Sequence, residues 1–245
     1  VNINAIVATR MTSSRLPGKV LMDLAGKPAL VRLIERLKRS KYISEIVIAT
    51  TTNQTDDIVV ETAKSQGVMY YRGSEEDVLL RTVEAAEATA TDLIVQITSD
   101  CPLLDHETID RVIERICEYP HIDYAANQLV RTYPLGFCVE VFRTMDLRLV
   151  EETINDPAVR EHVSLYFYEH PEKYYLSNVE APSFLHHPEY RLTLDTEEDY
   201  NLIRNIYEAL YPMKPAFDLY DITRYLQRNA IISSMNQHVQ QKKAR

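Results

Sequence analysis

Apolar and polar positions along this chain follow two periods in turn. Ile3-Asn4-Ala5-Ile6-Val7-Ala8 is a short apolar run, the pattern of a strand buried on both faces. A polar loop runs from Thr9 to Lys19. From Pro28 the period changes, and Leu30, Leu33, Ile34 and Leu37 fall on one face of a helix that the proline opens. The alternation then repeats. Glu45 to Thr50 predicts a second strand and Asp56 to Ser65 a helix that stops at Gly67. Val68 to Tyr71 predicts a third strand and Asp77 to Ala88 a third helix. Asp92 to Thr98 reads as a fourth strand, leading through Ser99-Asp100-Cys101-Pro102 into a helix with Ile109, Val112, Ile113 and Ile116 on one side. Four strand–helix units in succession predict an α/β fold, an open and mostly parallel sheet flanked by helices.

The second half is less regular and predicts a smaller α+β insertion. Strands are expected at Ile122–Ala126 and Phe137–Phe142, around a turn at Tyr133-Pro134-Leu135-Gly136, and again at Tyr174–Val179 and Tyr190–Leu194. Helices are expected over Met145–Thr153 and Val159–Tyr168. Thr196 reads as the N-cap of a helix carrying Ile203, Ile206, Tyr207 and Leu210, and a last helix starts near Asp218. The polar tail after Asn229, ending Lys242-Lys243-Ala244-Arg245, is expected to fray. The domain thus spans residues 1–229, with 230–245 as a tail.

Composition narrows the function. With 245 residues, 45% of them hydrophobic, the chain can bury one full-sized core. No apolar run reaches the roughly 18 residues of a membrane span, and no signal-peptide pattern opens at Val1, so a cytoplasmic protein with no membrane partner is expected. The formal charge of −9 argues against nucleic acid as a partner. Cys101, Cys117 and Cys138 lie far apart, which favours reduced thiols over a disulfide framework or a zinc site.

Two strand exits carry chemistry, as the carboxyl ends of strands do in open α/β sheets. The first feeds Thr9-Arg10-Met11-Thr12-Ser13-Ser14-Arg15-Leu16-Pro17-Gly18-Lys19, three cations and several hydroxyls in an acidic protein, which favours polyanion binding over a merely solvated loop. It has neither the Walker nor the GxGxxG spacing. The fourth strand feeds Asp100, either a magnesium ligand opposite that loop or a capping aspartate. Asp195 follows Arg191-Leu192-Thr193-Leu194 in the same context, and the two aspartates could share one metal. His186-His187 lacks a further obvious ligand.

The segment Ala8-Thr9-Arg10 through Ser14-Arg15-Leu16-Pro17-Gly18-Lys19 resembles the N-terminal signature of the CMP-sugar synthetases, cytidylyltransferases that activate sugar acids. Arg72-Gly73-Ser74-Glu75-Glu76-Asp77-Val78-Leu79, Asp100-Cys101-Pro102-Leu103, Arg160-Glu161-His162-Val163 and Leu194-Asp195-Thr196-Glu197-Glu198-Asp199-Tyr200 are similar to the SpsF-like spore-coat polysaccharide branch, in the same order, from about Asn4 to about Leu226. The resemblance implies a GT-A-like nucleotidyltransferase fold, a homodimer, and transfer of CMP from CTP with Mg²⁺. It implies a nucleotide-binding half over 1–120, an acceptor and dimerisation region over 121–190, and a metal aspartate with C-terminal helices over 191–229. By the same carry-over Arg10, Arg15 and Lys19 hold the triphosphate and, with Asp100, form the catalytic set. Ala8, Thr9, Ser14, Arg72, Gly73, Ser74, Asp77 and Ser99 complete the nucleotide site. Asp100 and Asp195 hold the metal, and Asn127, Glu140, Glu161 and His162 face the acceptor. Ser99 stands where relatives often have glycine, and Tyr133-Pro134-Leu135-Gly136-Phe137-Cys138 replaces a more polar acceptor loop.

The acceptor is expected to be a small acidic sugar or a phosphorylated metabolite. Arg131, Arg160 and Arg191 are three candidates to pair with its anionic group, among which spacing does not choose. A glycosyltransferase of similar fold is the second reading, weakened because Ser99-Asp100-Cys101 lacks a second aspartate. A non-catalytic nucleotide-binding protein is the third. His162, on an expected helix, reads equally as a structural histidine.

Overall fold

The fold is described from a computed structural model over residues 1–241. Strand β1 (Ile3–Ala8) leads through the polar loop to a small hairpin, β2 (Asp23–Leu24) and β3 (Lys27–Pro28), and then to α1 (Ala29–Leu37). There follow β4 (Glu45–Thr51), α2 (Asp57–Ser65), β5 (Met69–Gly73), α3 (Val78–Ala88), β6 (Leu93–Thr98) and α4 (His106–Glu118). The second half contributes β7 (Tyr124–Ala126), β8 (Glu140–Arg143), α5 (Thr144–Thr153), α6 (Pro157–Glu161), α7 (Leu165–Glu169), β9 (Leu176–Asn178), α8 (Glu197–Leu210), α9 (Leu219–Arg228) and α10 (Ala230–Ser233).

The main sheet has the order β5-β4-β1-β6-β8-β7-β9. Strands β5, β4, β1 and β6 run parallel, and β8 is antiparallel to both β6 and β7. Period-2 alternation explains why both faces are covered. Ala5 and Val7 of β1, and Val95 and Ile97 of β6, face one apolar cluster that includes α1, α4, α8 and α9. Ile6 and Ile94 face the other, which includes α3, α5, α6 and α7. The chain leaves β1 for β4 and β5 on one side and returns to β6 on the other. The strand order therefore reverses between β1 and β6, where open α/β sheets leave a crevice beyond the carboxyl ends.

The four strand–helix units stand where the sequence pattern puts them, and α8 and α9 open on threonine and aspartate caps. Thr196 and Asp199 form a reciprocal capping box on α8, and Asp218 and Asp221 another on α9. Three expectations change. The helix expected over Val159–Tyr168 is broken into α6 and α7 at His162-Val163, because Val163 takes a left-handed backbone with φ 42°. Tyr190–Leu194 is not a strand; its ladder is one parallel bridge between Leu135 and Arg191. The tail does not fray from residue 230: α10 forms, and Asn236 is buried, its amide donating to the Arg191 carbonyl at 2.9 Å and to Asp199 Oδ1 at 2.7 Å. The last four residues of the expected tail lie outside the described residues. No helix among those described is long and apolar enough to cross a membrane.

Gly136 explains how the insertion meets the site. Its φ is 98°, and a Cβ there would lie 2.5 Å from the carbonyl carbon of Leu192. Only glycine lets the 133–137 turn press on the backbone that leads to Asp195.

Candidate active site

The loops after β1 and β6 and the turn before α8 enclose a cleft of about 320 Å³. Its floor is set by backbone bonds. Ser99 N donates to the Ala8 carbonyl at 3.2 Å, and Leu194 N donates to the Asp100 carbonyl at 2.8 Å, so the exits of β1 and β6 and the segment before α8 are pinned side by side. Asp56, fully buried, accepts from Met11 N at 2.8 Å and from the Thr50 hydroxyl at 3.0 Å, which fixes the start of the cationic loop. At its far end Gly18 turns left-handed (φ 72°) and delivers Lys19 inward.

Lys19 is the centre of the arrangement. Its Nζ lies 2.8 Å from Asp195 Oδ1 and 3.5 Å from Asp100 Oδ2. One ammonium therefore touches both aspartates, and these residues, 95 apart in sequence, converge. Arg15 NH2 adds a contact to Asp195 Oδ1 at 3.1 Å, and Arg191 NH2 one to Oδ2 at 3.3 Å. Burial works to raise the Asp195 carboxyl, but Lys19, Arg15 and Arg191 outweigh it and hold it below the usual aspartate range. Arg191 is itself fixed by a bidentate grip on Asp199, at 2.8 and 2.9 Å, and by Gln241 Oε1 at 2.6 Å. The Asp100 carboxylate also accepts from the Thr98 hydroxyl.

The pair of carboxylates fits a hard divalent cation. All donors are oxygens, they converge from the end of β6 and the turn before α8, and they already share a cation in the form of the Lys19 ammonium. Two carboxylates without a third ligand is what magnesium sites that borrow substrate phosphates provide. Among the described residues no cluster of three or more His, Cys, Asp or Glu could hold a metal. His187 is instead spent on Glu189, 2.8 Å away.

Ala8, Thr9, Arg10, Ser14, Arg15 and Ser99 line this cleft as well, and Glu161 and His162 enter it from the far side. Val163's left-handed turn sits directly behind His162, which also lines a neighbouring cavity of about 540 Å³ with Gln128, Arg131, Tyr168 and Gln241. The structure does not bring four expected nucleotide residues to the cleft lining. Arg72 is turned to the Thr51 and Asn53 carbonyls and Asp57, Gly73 packs on Arg81, Ser74 Oγ accepts from Asp77 N, and Asp77 caps α3 and pairs with Arg160. Nor do two acceptor-side residues reach either cavity. Asn127 is buried, bonded to the Phe137 carbonyl and Val139 N. Glu140 accepts from Ser164 at 2.8 Å and from Gln128; burial pushes its carboxyl up. Several lining residues stand outside the expected site, among them Arg81, within α3, and Gln241, in the polar tail.

A larger cavity, about 810 Å³, opens at the opposite end of the sheet near Val1, Ile3 and Met145. Its arginines are spent: Arg143 on the Ile122 and Pro120 carbonyls, Arg148 on Glu152. The converging cations and carboxylates are at the smaller one.

The sequence matches the profile of the Cytidylyltransferase family over residues 4–231. The chain belongs to this family. It is 36% identical over 211 residues to the spore coat polysaccharide biosynthesis protein SpsF of Bacillus subtilis, covering 83% of this chain and 85% of that one. It is 34% identical over 124 residues to a 3-deoxy-manno-octulosonate cytidylyltransferase of Geobacter sulfurreducens, about half of each chain. A solved cytidylyltransferase from Leptospira borgpetersenii superposes over 99% of both chains with a TM-score of 0.90 at 30% identity. The protein is thus a CTP-dependent nucleotidyltransferase, with the fold of that family.

Proposed function

We propose that this cytidylyltransferase transfers CMP from CTP to a small sugar acid or related acidic acceptor, releasing pyrophosphate, in the activation of a sugar for polysaccharide synthesis. The observation that carries the reading is the Lys19 ammonium shared by Asp100 and Asp195 at the switch point of the sheet. The acceptor oxygen attacks the α-phosphorus in line, and the bond from that phosphorus to the oxygen bridging to the β-phosphate breaks. Negative charge grows on the departing pyrophosphate. Arg10, Arg15 and Lys19 line the cleft where that charge develops, and donors placed there lower the barrier more than they tighten ground-state binding. In this scheme Lys19 leaves the carboxylates for the triphosphate as the nucleotide enters. Asp100 and Asp195 would then be open to hold a divalent cation, which would neutralise phosphate charge and polarise the phosphoryl group.

The neighbouring cavity is the acceptor's place in this reading, with His162 on the boundary. Of the three candidate arginines, Arg160 is spent on Asp77 and Glu151, and Arg191 on Asp199 and Asp195. Arg131 lines the cavity and has no carboxylate partner among the described residues, which favours it as the partner of an acceptor carboxylate or phosphate.

The test is pyrophosphate release with Mg²⁺ and each of the four NTPs against a panel of sugar acids and phosphorylated acceptors. Release with CTP and one acceptor class names the substrate. If CTP binding, measured by calorimetry, is the same with and without Mg²⁺, the metal-assisted scheme fails.

A further inference from the structure

Arg81 stands on the inner face of α3, 2% exposed, beside Val78 on the cleft lining. Its NH1 donates to the Ser74 carbonyl and, at 3.4 Å, to that of Glu75. Its stem fills the space a side chain at Gly73 would need, since a Cβ there would stand 3.0 Å from Arg81 Cγ. The other edge of the guanidinium is unused. Nε is buried with no acceptor among the described residues, and no described carboxylate pairs with the side chain. By contrast, Arg191 grips both oxygens of Asp199 with its Nε and NH2. Burial draws Arg81's guanidinium below the usual arginine range, and Arg10 nearby adds to the effect. A desolvated fork left empty on a ligand cleft is costly, and it persists where a ligand completes it.

The side chains around it leave little else to recognise a base. Ser74 Oγ is held by Asp77 N; the Glu75 carboxylate accepts from Thr12 and from Asn53 at 2.5 Å, with Arg10 3.6 Å away; Asp77 caps α3. We propose that Arg81 is the base-selecting residue of this cleft, its free Nε–NH2 edge donating to O2 and N3 of cytosine. These two atoms are adjacent acceptors and match a two-pronged donor. In uracil N3 carries a hydrogen, so a donor would face a donor. The inference rests on the reading of CTP as the nucleotide and adds how it is chosen.

The test is calorimetric titration of CTP and of UTP into wild type, Arg81→Met and Arg81→Lys, with melting curves alongside. Lysine keeps the charge and a donor for the Ser74 carbonyl but not the fork. Both variants are expected to lose about tenfold to a hundredfold in CTP affinity, the range for hydrogen bonds from a charged group, with UTP changed by less than about threefold. Parallel losses for CTP and UTP, or an unchanged ratio, overturn the proposal. Should Arg81→Met fail to fold, Gly73→Ala, which displaces the Arg81 stem without removing the charge, is expected to lower the CTP:UTP ratio; an unchanged ratio again overturns it. A wild type that binds UTP as well as CTP would instead count against CTP as the nucleotide.

Discussion

Replacing Lys19 by methionine keeps the stem and removes the ammonium. The pair it breaks is nearly buried, with 11% of the Lys19 side chain and 5% of the Asp195 side chain exposed. Removing one partner of a buried pair costs about 3–5 kcal/mol when the other charge is left alone. Here Asp195 keeps Arg15 at 3.1 Å and Arg191 at 3.3 Å. The uncompensated charge falls mainly on Asp100, whose side chain is 24% exposed and reaches solvent. The stability loss is therefore about 1–2 kcal/mol, a fall of about 2–8 °C in melting temperature for a domain of this size. Turnover should fall much further, by about 10²–10³, the usual cost of removing a donor aimed at developing charge. The assay is pyrophosphate release at saturating CTP and Mg²⁺, run beside a thermal melt. The same substitution should have the opposite effect on metal binding. Without the ammonium, the position between the two carboxylates opens to a divalent cation although Arg15 and Arg191 stay on Asp195, so Mn²⁺ affinity of the nucleotide-free protein, read by EPR, should rise by about tenfold, equivalent to about 1.4 kcal/mol. Turnover within about threefold of wild type in folded protein would refute the role of Lys19, and unchanged Mn²⁺ affinity would refute the shared position.

Asp195→Asn tests the electrostatics by pH. The folded carboxyl lies below its unfolded value, so its contribution is fully present above about pH 4–5 and is lost as pH falls through the lowered folded value. Wild type and variant should differ in stability at neutral pH and converge in acid; a constant gap in denaturant melts down to low pH would contradict this. Gly136→Ala places a methyl 2.5 Å from the Leu192 backbone at φ 98°, and should cost about 3 kcal/mol, seen as a drop of about 6–12 °C in the melt. Arg131→Ala should raise the KM of the acceptor about tenfold or more while leaving CTP affinity and melting temperature unchanged, and a parallel loss of CTP affinity would place Arg131 elsewhere.

The first half of the fold was legible because its signals are local. Each strand is one apolar run, each helix one apolar face, with an aspartate cap on α3 and α4, and the cationic loop lies within eleven residues. The second half was less so because its geometry is set by distant contacts. Nothing in Val159–Tyr168 announces that Val163 turns left-handed, and only the packing of Val163 into the second cluster, 4% exposed, accounts for a β-branched residue there. Tyr190–Leu194 has the composition of a strand but runs beside a single bridge partner at the 133–137 turn. Asn127 and Glu140 were expected at the acceptor on resemblance, and their polarity is absorbed by backbone and side-chain partners inside the insertion.

The Asp195-Thr196-Glu197-Glu198-Asp199 run shows how one motif divides into different physical tasks. Thr196 and Asp199 cap α8, and Asp199 also accepts from the backbone N–H of Asp195 at 3.1 Å. It holds Arg191, which in turn reaches Asp195, so the rigid end of a helix fixes the nearer of the two carboxylates that Lys19 touches. The same logic separates two buried arginines, Arg191, which the sequence offers as an acceptor candidate, and Arg81, which it does not. Arg191 has its fork filled by Asp199 and is a structural clamp, whereas Arg81 is as deeply buried with its fork empty. What sets Arg81 apart, and motivates the role proposed for it, is an Nε without a partner among the described residues, a property of the folded surroundings that no spacing along the chain records.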